Sequence, residues 1–192
     1  MGVVYEDAGC SEWDPPGAVA LARGYFGDHA VEVLPRDAVG GACTSRMTER
    51  GVRIRVASDQ ADEWANWRVA IEIARWVAPQ MGYEQRLNLA AELCAPSEPF
   101  AAMADALGRD VHALADAWRV PCGTAALRLG EVCGIEVALV TPTGVYCRGE
   151  RRRLPPDPER IRLWAERSII PCGFVRHRVH GDGDERTAFV AA

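Results

Sequence analysis

The segment from Asp59 to Ala78 is the strongest helix prediction in the sequence, and it constrains the fold more than any other stretch. Apolar residues recur in it at the spacing of one helical face, and Pro79 ends the run. The residues on this stripe are Trp64, Trp67, Ile71, Ala74 and Val77. We expect the stripe to pack inward, because an apolar helix face has to be covered by a neighbouring layer.

Strand patterns precede this helix. Val31–Leu34 alternates between apolar and polar residues, and residues 42–47 and 52–57 flank a short polar turn, which predicts a β-hairpin. In the second of these strands valine and isoleucine alternate with arginine, so one face should be buried. The sequence therefore predicts a small N-terminal sheet, preceded by a helix from about Asp14 to Phe26.

Helices fill the middle of the chain, and strands follow them. Proline, serine and aspartate mark the starts of four further helices, over about 84–95, 97–106, 110–118 and 121–134. Beyond Gly134 we predict two hairpins, separated by a short helix that ends near Ser168. The expected fold class is α+β, with one part in residues 1–134 and a smaller hairpin-rich part in residues 135–192.

Composition excludes several classes of function. The chain has 192 residues and a formal net charge of −5, which argues against a generally basic nucleic-acid-binding surface. No apolar run approaches the length of a membrane span, so no membrane partner is expected and a cytoplasmic location is predicted. The seven cysteines form no Cys-x-x-Cys pair, which favours free thiols over a zinc ribbon.

Three phrases occur in a recognisable order. Residues 67–75 read WRVAIEIAR, residues 85–96 read QRLNLAAELCAP and residues 114–120 read LADAWRV. In order and spacing they resemble the Arg-Phe-x-x-Ala-His-Glu-x-x-His helix and two later phrases of the ImmA/IrrE family of bacterial and phage metallopeptidases. The match covers about Pro15 to Glu131, and it implies a zincin-like helical domain with a small N-terminal sheet.

The resemblance also implies that the zinc site is lost. In the family two histidines bind zinc, and Ile71 and Arg75 stand at the matching positions. Isoleucine has no lone pair and arginine stays positively charged, so neither can bind the metal. The family's third ligand, a glutamate, aligns with Gln85, or with Glu84 if the register slips by one. Glu72 remains as a vestigial general base, no cofactor is expected, and we expect Arg75 to pair with Glu72 or Glu84.

The resulting hypothesis is a catalytically inactive metallopeptidase-like protein that acts by binding a protein or peptide partner. Members of the family act on or with helix-turn-helix repressors of phages, mobile elements and stress responses, so the resemblance implies such a repressor as the partner. Glu72 alone does not replace the zinc ion, because water that is not bound to a metal stays a very weak acid.

Two alternatives remain open. The first is an active zinc-dependent endopeptidase that recruits ligands to Glu72 from the histidines elsewhere in the chain. These are His29, His112, His177 and His180. On a strand the last two would point to opposite faces.

The second alternative is a DNA-binding regulator that uses a helix-turn-helix-like segment over residues 110–131. Thr124, Arg128 and Glu131 would be available on its second helix. The segment lacks a basic cluster, so a helical hairpin is favoured and DNA is not the expected partner.

Overall fold

Helices and strands alternate in an α+β fold, as the sequence predicts. The computed structural model describes residues 17–150, 153–180 and 185–191. The helices in these ranges are α1 (Ala18–Phe26), α2 (Arg36–Val39), α3 (Asp62–Val77), α4 (Tyr83–Cys94), α5 (Ser97–Ala106), α6 (Val111–Trp118), α7 (Cys122–Cys133) and α8 (Pro158–Glu166). The strands are β1 (Val31–Leu34), β2 (Cys43–Thr48), β3 (Gly51–Ala57), β4 (Val137–Thr141), β5 (Gly144–Arg148), β6 (Phe174–His180) and β7 (Glu185–Ala191).

The predicted elements are confirmed within the described residues, with ends that differ by a few positions. The predicted helix start at Asp14 lies outside the described residues. Two short elements were not predicted, the 3-10 helix Asp28–Ala30 and helix α2. Both are too short to show an apolar repeat.

The N-terminal sheet has the strand order β1-β3-β2. Strand β1 runs parallel to β3, and β2 runs antiparallel to it, so that Ser45 lies opposite Ile54. The apolar face of β3 is buried, whereas on its other face Arg55 donates from Nε to Glu32 at 3.2 Å. The predicted division of β3 into an apolar and a basic face is therefore confirmed.

The C-terminal sheet is antiparallel, with the order β5-β4-β7-β6. One face contributes Leu139 and Val179 to the main core beneath the helices, and the other face packs Phe189 against Ile161 of α8. The main core is thus continuous across Gly134, where the sequence suggests a boundary between residues 1–134 and 135–192.

The fully buried face of α3 shares only Ala74 with the predicted stripe. The side chains without exposed surface on this helix are Val69, Ala70, Ile73 and Ala74. Trp64, Trp67 and Ile71 are only partly buried, and Val77 is 46% exposed. Trp67 and Ile71 lie at the margin of the core, where they pack against its buried residues.

A buried arginine joins α4, α5 and α7. Arg128 is 3% exposed and donates from Nε to the carbonyl of Ala95 at 2.9 Å. Its Nη2 donates to the Ser97 hydroxyl at 2.9 Å and to the carboxylate of Glu92, while Nη1 lies 3.1 Å from Glu131. All three guanidinium nitrogens therefore have an acceptor or an ion-pair partner, as the burial of a charged group requires.

Glu92 titrates as part of this network. Burial acts to raise the pKa of Glu92, but hydrogen bonds from Ser97 and Arg128 outweigh it and hold the pKa below its ordinary value of 4.5. Because the folded protein binds this proton less readily than the unfolded chain, the carboxylate stabilises the fold above pH 4.5, and the stabilisation is lost as the pH falls through the lower folded-state pKa.

Among the helices of the described ranges, we find none that combines the length and the apolar character needed to cross a membrane.

We expect Arg128→Leu to lower the free energy of unfolding by about 3 kcal/mol, the low end for a broken buried pair because both glutamates reach solvent. Arg109→Leu is the matched control, since its ion pair with Asp105 at 3.7 Å joins two side chains that are 53% and 73% exposed and should contribute less than about 1 kcal/mol. Urea unfolding measures both values. Equal losses in the two variants would contradict the assigned role of Arg128.

Glu92→Gln should destabilise the protein at neutral pH and become harmless in acid. Glutamine keeps the shape of the side chain but not its charge, so the difference from the wild type should shrink as the pH falls below 4.5. Urea unfolding between pH 7 and pH 3 measures this difference. A difference that grows in acid would contradict the lowered pKa of Glu92.

Candidate functional site

Glu72 is held between α3 and the N-terminal sheet. Its side chain is 15% exposed, and its Oε2 accepts a hydrogen bond from the hydroxyl of Ser45 on β2. Trp76 donates from Nε1 to the same hydroxyl at 2.7 Å, and Arg75 Nη1 lies 3.6 Å from Glu72 Oε2. The predicted pairing of Arg75 is therefore found with Glu72, one turn away on the same helix.

A thiol beside this carboxylate is chemically inert. Burial, reinforced by the negative charge of Glu72 and opposed by Arg68, raises the pKa of Cys43 to about 12. Cysteine reacts as the thiolate, and at neutral pH this side chain stays protonated. Cys43 is therefore not a candidate nucleophile.

The positions that would bind zinc in the family carry side chains engaged elsewhere. Ile71 presents hydrocarbon to a cavity, and the guanidinium of Arg75 faces Glu72. Gln85 accepts from the backbone N–H of Gly82 at 3.0 Å, so its amide oxygen caps the start of α4, while Glu84 is exposed. These residues do not fit a zinc ion, because two of the three donors are missing and the third is a neutral amide oxygen already in use.

The histidines lie apart from Glu72 or have no described side chain. His29 Nε2 makes a hydrogen bond with the carbonyl of Arg50. His112 on α6 and His177 on β6 lie together, with ring centroids 5.5 Å apart, and Cys122 Sγ is 3.5 Å from His112 Nδ1. Burial, with a further effect of His112, lowers the pKa of His177 and favours its neutral form. The side chain of His180 lies outside the described part of the chain.

The approach of His112 to His177 has no signal in the sequence. Residues 65 positions apart meet only because β6 packs beneath α6 and α7, and this long-range contact leaves no local pattern. Across the described ranges, three or more acidic, cysteine or histidine side chains do not gather in a metal-binding arrangement.

The helix-turn-helix prediction is wrong in one respect. Helices α6 and α7 are present, but Arg128 is buried in its ion-pair network and is not available to DNA. The face of α7 that carries Ala125, Ala126 and Leu129 is buried in the core, as expected for a packed hairpin.

A cavity of about 340 Å³ opens between the helices and the C-terminal sheet. Helix α3 contributes Trp64, Trp67 and Ile71, α4 contributes Tyr83, and β5 contributes Tyr146. The start and one face of α7 close the cavity with Gly123, Thr124, Arg128 and Glu131. The cavity and the Glu72 network therefore lie on different sides of α3, since Glu72 faces β2.

Comparison with known proteins shows the fold and no family. No protein-family profile matches the sequence, and no curated protein matches it significantly. Among solved structures, a Mycobacterium tuberculosis transcriptional regulator is similar, with a TM-score of 0.60 over 91% of this chain and 79% of that chain. The identity is 16%, so the two chains are similar in fold.

Proposed function

We propose that this chain is a regulatory protein that binds a protein or peptide partner on a zincin-like scaffold, and that it does not hydrolyse peptide bonds with zinc. The observation that carries the proposal is the engagement of Glu72, the one residue kept from the His-Glu-x-x-His pattern, by Ser45 and Arg75.

Glu72 is unsuited to act as a base in this environment. A general base has to take a proton from water that a metal has made acidic. The Oε2 atom of Glu72 already accepts from the Ser45 hydroxyl and lies 3.6 Å from Arg75 Nη1, so this oxygen is engaged within the protein. Arg75 would also repel a cation at the position that the resemblance assigns to zinc.

Strand β2 offers a surface for an extended peptide. It is an outer strand of the N-terminal sheet, and its hydrogen-bonded pairs with β3 include Thr44 with Arg55. In an antiparallel ladder the intervening residues turn their backbone groups outward. The N–H and C=O groups of Ser45 and Met47 therefore point away from β3, where a partner strand can bind them.

This edge adjoins the Glu72 network, because the side chain of Ser45 on β2 bonds Glu72 on α3. The hydrogen bond from Trp76 to the same hydroxyl fixes β2 against the helix. Strand β2 is already ordered before a peptide binds, so binding would cost little conformational entropy in the strand.

The partner class rests on the resemblance, which implies a helix-turn-helix repressor. A regulatory role is compatible with the fold similarity to a protein named as a transcriptional regulator. The DNA-binding alternative loses its main contact residue, since Arg128 is buried. The endopeptidase alternative would need ligands from His29, His112, His177 or His180 beside Glu72. The contacts of His29 are with Arg50, those of His112 are with Cys122 and His177, and the side chain of His180 lies outside the described part of the chain.

Affinity purification from the native host, with variants at the β2 edge, tests the proposal. Met47→Pro removes an outward N–H and should abolish capture of the partner, because proline is tolerated on an edge strand but cannot pair with a new one. Met47→Ala is the control, since it removes the side chain, which is 59% exposed, and keeps the N–H.

The expected result is one partner that co-purifies with the wild type and with Met47→Ala, and that stays intact when zinc is added. Equal capture by Met47→Pro would rule out strand addition at β2. Chelator-sensitive cleavage of the partner would contradict the non-hydrolytic role.

A further inference from the structure

The cavity between α3, α4, α7 and the C-terminal sheet is the strongest feature that the proposed function leaves unused. Its volume of about 340 Å³ lies within the range of small-molecule sites, and its walls come from two layers of the fold. We propose that it binds a small organic anion with a flat apolar body, such as an aromatic carboxylate, at a site separate from β2.

The apolar walls fit a flat body. Trp64 and Trp67 on α3 face the same space as Tyr83 and Tyr146, which are 67% and 45% exposed. Exposed aromatic surface costs free energy in water, so a ring placed between these side chains would be stabilised by burial and stacking.

The charge of the walls selects an anion. The charged residues of the lining are three arginines, Arg128, Arg148 and Arg186, and one glutamate, Glu131. Arg128 is neutralised by its own ion pairs with Glu92 and Glu131. Within the described ranges neither Arg148 nor Arg186 makes an ion pair, and a partly buried cation without a counter-charge favours a bound anion.

Arg186 is placed to bind the anionic group. It lies on β7 with its guanidinium 5.6 Å from the ring centroid of Trp64, and its buried Nε has no hydrogen-bond acceptor among the described residues. A carboxylate can accept two parallel hydrogen bonds from such a fork while the rest of the ligand lies along Trp64.

The start of α7 strengthens the same preference. Pro121, Gly123 and Thr124 line the cavity, and no side chain caps the first turn of this 12-residue helix. The positive end of the helix dipole therefore acts in the same space as Arg148 and Arg186, which have no ion pair within the described ranges. Anion binding in this cavity follows from the arginines and the dipole together.

Calorimetry with 2-naphthoate, and with 2-naphthamide as its neutral counterpart, tests the proposal. We expect one molecule of 2-naphthoate to bind per chain, and the amide to bind at least about tenfold more weakly. Arg186→Gln should weaken 2-naphthoate at least about tenfold, and Arg186→Lys less, because lysine keeps the charge but not the fork.

Arg160→Gln is the matched control, since Arg160 is exposed on α8, on the opposite face of the C-terminal sheet, and should leave binding unchanged. If Arg186→Gln fails to fold, the affinity of Arg148→Gln for 2-naphthoate tests the role of the cavity arginines independently. Equal binding of acid and amide, no binding of 2-naphthoate up to millimolar concentration, or unchanged binding in both cavity variants would overturn the proposal. Met47→Pro should bind 2-naphthoate normally, which separates this site from partner binding at β2.

Discussion

One fully buried face of α3, on which Ala70 and Ala74 stand beside Val69 and Ile73, packs against the N-terminal sheet, α1 and α4 at once. Val69, Ala70, Ile73 and Ala74 have no exposed surface, and Ala90 of α4 is also fully buried. Alanine brings helix axes close together, whereas a larger residue in a packed interior would force the layers apart. The positions of β2, of α4 and of the cavity all depend on this close approach.

The same packing separates two surfaces with different chemistry. One side of α3 presents Glu72 to Ser45 of β2, and another presents Trp64, Trp67 and Ile71 to the cavity. A carboxylate that already accepts from a hydroxyl and pairs with a guanidinium is engaged in holding α3 against β2. The cavity instead combines exposed aromatic surface with arginines that lack counter-charges in the described residues, and this combination favours an anionic ligand.

Local patterns predicted the elements well, because hairpin turns, helix caps and prolines act over a few residues. Asp110 caps α6 as expected, by accepting from the N–H groups of His112 and Ala113. The apolar repeat could not show which face of α3 would be fully buried. Tryptophan and alanine both count as apolar in such a repeat, although their side chains differ greatly in size. The pairing of Arg75 with Glu72 was predictable from their spacing, whereas the meeting of Arg186 with Trp64 was not, because it depends on how the C-terminal sheet packs against α3.

We propose that this chain keeps a zincin-like scaffold and lacks the side chains that would bind zinc. Zinc-to-protein ratios, measured by elemental analysis after dialysis against zinc, test this in the wild type and in the variant Ile71→His, Arg75→His, Gln85→Glu. The two histidines would lie four residues apart on α3, and the glutamate would return the third ligand from α4. The account predicts about one zinc per chain in the variant and none in the wild type. A wild-type ratio near one, or a folded variant that retains no zinc, would contradict it.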